Sequence, residues 1–382
     1  LSELATVAEH VLQANSYTDV FGVYAADDPQ LEQHIKKAYR RLARVIYPDF
    51  YKETDEVELA TLAFKKLAEL HEAALQARVA GKYGQPLQLA VIRTRHAKHV
   101  VTKPLAPGDL SQTYLGRTTT TIEQDSFVKV ARQPADRDLL QAEATVLRKL
   151  HGPGTDPRWA VFTPTLLDSF TYVERGKPAR VANVFPLLDG FYDLTQLKSA
   201  FPTGFDGLHM VWIWRRLLVA LGHAHDNNVV HGAVLPEHVM IQPEQHGLAL
   251  VDWCYSSIRK DGATYAPVKA IVGKYRNWYP AEVLDKQPPA EATDIAMAAR
   301  CMIDLMGGDV VGGMMPNRVP KAFRAFFKGC LQPQLSMRPN DAWILLREFD
   351  ELLEQLGSPY FPRRFRPFTM PTGTVTSPYG KR

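Results

Sequence analysis

A chain of 382 residues, 46% hydrophobic and 23% charged, is long enough for two domains with separate cores and too apolar to remain disordered. No run approaches the roughly eighteen apolar residues that a membrane span needs, so a cytoplasmic address is the default expectation. The three cysteines, Cys254, Cys301 and Cys330, are too few and too scattered for a disulfide framework or a zinc cluster, and are expected to be reduced core residues.

The first eighty-odd residues read as helical, beginning with a short N-terminal extension over residues 1–16. In "LEQHIKKAYRRLARVIYPDF" the apolar positions Ile35, Tyr39, Leu42 and Ile46 recur at helical spacing. Lys36, Lys37, Arg40, Arg41 and Arg44 fill the other side, with only Glu32 nearby. That makes a one-signed face, suited either to steering an acidic partner or to plain solvation. Pro48 ends the helix, and Ala60, Phe64, Leu67, His71 and Ala74 mark a second one, so the unit is expected to be a helical hairpin around a Pro-containing loop. A linker is expected over residues 85–97.

From about residue 98 the pattern turns to strands. "HVVTKPL", "LSQTYLGRTTT" and "DSFVKVAR" are rich in Val, Thr, Tyr and Phe, with Pro107-Gly108 at a turn. The helix "DRDLLQAEATVLRKL" follows. Its apolar stripe of Leu139, Leu140, Val146, Leu147 and Leu150 also carries Glu143. A carboxylate facing a core needs a cation, and Lys129, between Val128 and Val130, is the nearest candidate by chain order. A lysine pointing outward from a half-buried strand is the other reading. Then come "VANVFPLLDGFYDLTQL", a strand running into a connector, and "MVWIWRRLLVALGHAH", a long buried helix. After them stand "VVHGAVLPEHVMI", "LALVDWCYS", "YPAEVL", "EATDIAMAARCMIDLM" and "SMRPNDAWILLREF". The final segment, residues 357–382, contains Arg363, Arg364, Arg366, Lys381 and Arg382 and no acid. It reads as an extended tail, either an arm for RNA, lipid or an acidic partner, or a strap laid over its own domain.

Two resemblances follow from these stretches. "TDVFGV", "IKKAYRRLARVIYPD" and "AFKKLAELHEAAL", over residues 17–84, resemble in order the helices and loop of the J-domain co-chaperone family. The family's His-Pro-Asp loop stands here as Tyr47-Pro48-Asp49. The resemblance implies docking on a heat-shock chaperone ATPase of the seventy-kilodalton class, or on another acidic surface, through the basic helix. Loss of the His implies impaired stimulation.

Residues 98–356 resemble the protein kinase family. The resemblance implies an α+β chain in which a two-lobed kinase-like domain follows the helical unit. Lys129 and Glu143 match the pair that holds ATP phosphates, and Asp252 in "VDWC" matches the metal-binding carboxylate, with Trp253 and Cys254 replacing its Phe and Gly. Of the phosphate-covering glycines only Gly108 remains. In the catalytic loop His231 matches the His, while Gly232, Ala233, Leu235 and His238 replace the Arg, the proton-accepting Asp, a Lys and the metal-binding Asn. Glu282, Arg338 and Asp294 match the residues that brace the activation segment and catalytic loop. Without the Arg at 232, a phosphate on Thr264 or Tyr265 would lack its usual receiver.

The resemblance therefore implies a catalytically impaired regulatory or adaptor protein that binds ATP weakly, with magnesium or manganese. An atypical phosphoryl or nucleotidyl transferase, and a co-chaperone whose kinase-like part selects clients, are the alternatives.

Overall fold

The computed structural model describes residues 2–14, 16–52, 54–84, 89–173, 176, 178–260, 263–371 and 374. It divides into two compact units, residues 1–87 and 88–382. Together they make a mixed helix and sheet protein with a helical N-terminal region. Among the described residues no helix is long and apolar enough to cross a membrane.

Among the described residues of the first unit, the apolar spacing produces four helices rather than a bare hairpin. They are α1 (Glu3–Gln13), α2 (Tyr17–Phe21), α3 (Leu31–Ile46) and α4 (Val57–Val79). Leu4, Ala8 and Val11 of α1 join Ile35, Leu42, Ala60 and Leu67 in one buried cluster, so the extension is part of the core. A proline disfavours helix in the residue before it, and Tyr47 accordingly turns extended (φ −67°, ψ 119°), ending α3. Pro48 then starts a short 3₁₀ turn, Pro48–Tyr51, held by Tyr51 Oη donating to the Val45 carbonyl at 2.8 Å.

The second unit opens with an antiparallel sheet of β1 (Ala90–Arg93), β2 (Lys98–Pro104), β3 (Ser111–Thr119), β4 (Glu123–Ala131), β5 (Asp168–Tyr172) and β6 (Arg180–Pro186), in the order β1-β2-β3-β4-β6-β5. Strand β1 corrects the expected linker. Residues 85–88 lie outside the described residues, but 89–97 form this edge strand and its turn. Four residues alternating half-buried and exposed, followed at once by Thr94, Arg95 and His96, lack the apolar run that would announce a strand. Helix α5 (Arg137–Leu150) lies on one face of the sheet.

The sheet curls so that its outer strands meet at one end through side chains. The Asp168 carboxylate accepts from Thr94 Oγ1 at 2.6 Å and stands 2.9 Å from His99 Nε2. His99 Nδ1 in turn lies 3.0 Å from Thr118 Oγ1, whose hydroxyl donates to Ser126.

Helices α6 (Pro157–Ala160) and α7 (Leu194–Ala200), the latter entered from the two-residue β7 (Tyr192–Asp193), lead to α8 (Gly207–Asp226). Apolar almost all round, α8 is the axis of the largest core cluster. The short strands β8 (Val229–Val230), β9 (Val239–Gln242), β10 (Gly247–Leu250) and β11 (Ser257–Ile258) carry the loops of interest. The helices α9 (Ala281–Leu284), α10 (Glu291–Leu305), α11 (Lys321–Gly329) and α12 (Ala342–Leu356) complete the unit.

The basic tail is a strap over its own unit in its described part. Phe368 packs between Phe205 and His209, His246 Nε2 lies 2.9 Å from the Arg366 carbonyl, and Arg363 pairs with Asp350 at 2.9 Å. Lys381 and Arg382 lie outside the described residues.

Candidate functional site around Lys129 and Asp252

Strand β4 is covered on both faces, which decides where Lys129 goes. Alternation sends Val128 and Val130 into a small cluster with Ala182 and Val184, and turns Phe127, Lys129 and Ala131 toward the α5 side. The lysine is 2% exposed. Its ammonium donates to Glu143 Oε1 at 3.0 Å, Asp252 Oδ1 at 2.8 Å and Cys254 Sγ at 3.2 Å. The second Glu143 oxygen accepts from Asn183 Nδ2 at 2.9 Å, and the same amide nitrogen reaches the Leu140 carbonyl at 2.9 Å. Asn183 sits directly across from Lys129 in the β4–β6 ladder. It escaped the sequence reading; its one signal is an amide inside the apolar run "VANVF".

Asp252 follows β10 in a left-handed conformation (φ 64°, ψ 59°), sparsely populated for a residue with a side chain. Trp253 Nε1, donating to the Leu250 carbonyl at 2.7 Å, fixes the turn. Burial alone would raise the Asp252 carboxyl, but the Lys129 ammonium outweighs it, with help from His238, and the group is held well below the usual carboxylate range. Burial and the nearby Glu143 carboxylate push the Cys254 thiol far up, so it sits beside Lys129 as a neutral thiol. All three cysteines are free and buried.

Glu143, Asp252 and Cys254 bring their ligand atoms within 4.8 Å of one another. That cluster is already organised around a cation, the Lys129 ammonium. A second pair of donor atoms is free of it. His238 Nδ1 lies 2.7 Å from the Ala233 carbonyl and must donate to it, because a carbonyl only accepts. The other ring nitrogen, Nε2, is 3.6 Å from Asp252 Oδ2, too far for a hydrogen bond. Together the two atoms would offer a divalent ion one imidazole nitrogen and one carboxylate oxygen.

The loop before His238 is braced from below. Asp294, fully buried on α10, accepts the backbone N–H of His231 at 2.7 Å and of Gly232 at 2.9 Å, and His225 Nε2 lies 3.1 Å away. His231 is pinned as one tautomer. Its Nε2 donates to the Val251 carbonyl at 3.0 Å, and its Nδ1 accepts the Ala233 N–H at 3.2 Å. Burial pushes its pKa down to about 4. Gly232 has φ +74°, and a Cβ there would stand 2.7 Å from the Tyr255 carbonyl, so the backbone requires glycine. Ala233 and Leu235 are buried methyl-bearing side chains that offer no proton acceptor.

Five other expected positions are seen apart from this centre. Glu282 and Arg338 form a two-point ion pair at 2.6 and 3.3 Å, with Thr293 donating to the same carboxylate at 2.9 Å. Gly108 lies in the turn between β2 and β3, its N–H donating to the Ser111 carbonyl at 2.9 Å. Tyr265 is buried, with its hydroxyl 2.9 Å from Glu291 and Arg259 over its ring, so it is closed to modification; Thr264 is exposed.

In the first unit Lys36, Lys37, Arg40, Arg41 and Arg44 are all exposed on one side of α3. Lys36 pairs with Glu32 at 2.5 Å, and Arg78 of α4 joins the same acid at 2.8 Å. Tyr47 is 41% exposed, with its ring edge-on to Phe50 and Phe64. Asp49 pairs with Lys52 at 3.1 Å.

The sequence matches no known protein family and no curated protein.

Proposed function

We propose that this protein is a catalytically impaired, kinase-like regulatory or adaptor protein that keeps a nucleotide and metal site, joined to a J-like helical unit. The observation that carries the reading is the contrast within one site. Lys129 is held by Glu143 and Asp252 as an ATP-anchoring lysine would be, while the place of the proton acceptor is taken by the buried methyl of Ala233. The strand order of the curled sheet, the Asp294 brace and the Glu282–Arg338 pair support the same resemblance.

In this reading Lys129, positioned by Glu143 and Asn183, takes phosphate oxygens, and Asp252 with His238 holds the ion. A bound ion would supply charge stabilisation to the phosphates. His238, fixed by Ala233, offers nitrogen where magnesium prefers oxygen, so manganese or zinc is expected to serve better. Positioned acid–base catalysis is worth about 10²- to 10⁴-fold, and without it transfer should fall below useful rates.

The test is a pair of measurements on the purified full chain. Melting curves with millimolar ATP and manganese should rise by several degrees, since a hundredfold excess over the dissociation constant adds about 2.7 kcal/mol and each kcal/mol is worth about 2 to 4 °C. Radiolabel from ATP should stay off the protein and off generic substrates. An unmoved melting curve would remove the nucleotide site. Label transfer that disappears in Asp252→Ala would replace the adaptor reading by the transferase.

The exposed basic face of α3 favours an acidic protein partner for the first unit, a heat-shock chaperone ATPase being the one the resemblance names. Association should weaken as salt screens the face. Stimulation of chaperone ATP hydrolysis should be slight, because the Tyr47 phenol has neither ring nitrogen of an imidazole, and Tyr47→His should restore part of it. Strong stimulation by the unmodified chain would favour the co-chaperone alternative.

A further inference from the structure

A cavity of ≈ 490 Å³ opens at the seam where the curled sheet brings the end of β1 to the start of β5, away from Lys129. Its walls are cationic. Arg93 and Arg95 come from β1 and its turn, His96 from the same turn, and Arg148 from the last turn of α5, with Ile92 and Phe170 supplying apolar surface. Among the described residues that line the cavity the one acid is Asp168, and its charge is spent inward. One carboxylate oxygen takes Thr94 and His99, and the other accepts the Ser169 N–H at 2.8 Å. Among the described residues, none of the three guanidinium groups is paired with a carboxylate. Among the same residues, Arg95 alone has a side-chain partner, donating to His96 Nε2 at 2.8 Å. A cation in the last turn of a helix complements its dipole, which accounts for Arg148 by itself. It does not account for two further arginines from a different element lining the same space.

The three arginines are exposed, so water and salt screen much of their mutual repulsion, and an anion seated between them would relieve the remainder. Guanidinium groups match phosphate in geometry as well as charge. The volume falls within the range of small-molecule sites and suits a body of about mononucleotide size. We propose that this cavity is a binding site for a small phosphate-bearing ligand, held by Arg93, Arg95 and Arg148, with the Ile92 and Phe170 side taking its less polar part. The site is independent of the Lys129 centre and of the function proposed above.

The probe is inorganic pyrophosphate, titrated calorimetrically into the full chain with EDTA present so that no metal can recruit it to Asp252. Saturable binding is expected, weakening with ionic strength and falling about tenfold in each of Arg93→Gln, Arg95→Gln and Arg148→Gln. Lys321→Gln removes an exposed cation on α11 and should leave the affinity unchanged. A direct readout comes from arginine Nε–H NMR signals, where the three resonances lost in the variants should be the ones that pyrophosphate shifts. No saturation by millimolar pyrophosphate would overturn the proposal. So would an equal loss in Lys321→Gln, which would reduce the effect to net charge, or retained affinity in all three arginine variants.

Discussion

Cations occupy two opposite situations in this molecule. Along α3, five of them stand in solvent on one face, and among the described residues only Lys36 has an acidic partner. In β4 a single lysine is enclosed by two carboxylates and a thiol at hydrogen-bonding distance. The exposed set is a field: its energy is spread through water, is weakened by salt and acts on whatever approaches. The enclosed one is a strut, for which the cost of taking charge out of water is met only while every partner is present. The fold should be nearly indifferent to the first and dependent on the second.

The largest effect should come from breaking the strut. Lys129→Met leaves Glu143 and Asp252 facing each other without a cation, and a loss of about 3 to 5 kcal/mol is expected in denaturant unfolding. A loss below about 1 kcal/mol would mean that the fold does not depend on the lysine's contacts with the two acids.

Next in size is a pH dependence from the loop beside it. His231 is neutral in the fold with its pKa down to about 4, against about 6.5 in an unfolded chain. The unfolded state takes the proton first, so this contribution is complete above about pH 6.5 and is lost as pH falls toward 4, by up to about 3 kcal/mol. His231→Gln should flatten that part of the stability profile relative to the unmodified chain. An unchanged slope would place the titration elsewhere.

Gly232→Ala should cost about 1 to 3 kcal/mol, through the left-handed backbone and the close Tyr255 carbonyl. At the other end of the comparison, Lys37→Gln and Arg41→Gln should change unfolding by no more than about 0.5 kcal/mol while weakening any salt-sensitive association of the first unit. A large stability loss there would show the α3 face to be structural.

The two regions also differed in how much of them the sequence disclosed. Helical spacing laid out α3 and α4 because each has one apolar side, and Glu143 drew attention because a carboxylate interrupted such a side. Lys129 left two readings open. Alternation alone cannot say whether a strand is covered on one face or on both, and that depends on α5 and β6 arriving from elsewhere in the chain. Asn183 was hidden for the same reason, its role being set by a neighbour 54 positions earlier across the ladder. The approach of His238 Nε2 to Asp252 was also out of reach, since it follows from a backbone carbonyl whose direction no side-chain pattern encodes. Strand β1 failed for lack of length. Of the tail's two readings the strap is the one seen in the described residues, and only its seat was hidden, because aromatic anchors such as Phe368 dock once α8 is in place.

The seam at Thr94, His99 and Asp168 also bears on how the molecule behaves in company. An antiparallel sheet with open flanks invites a strand from another copy to dock and extend it. Here the end of β1 is drawn toward β5 by side chains, and Arg93 and Arg95 put like charges where a second β1 would have to align. The sheet thus carries its own guard against growing into an aggregate, built from the same residues that line the cavity.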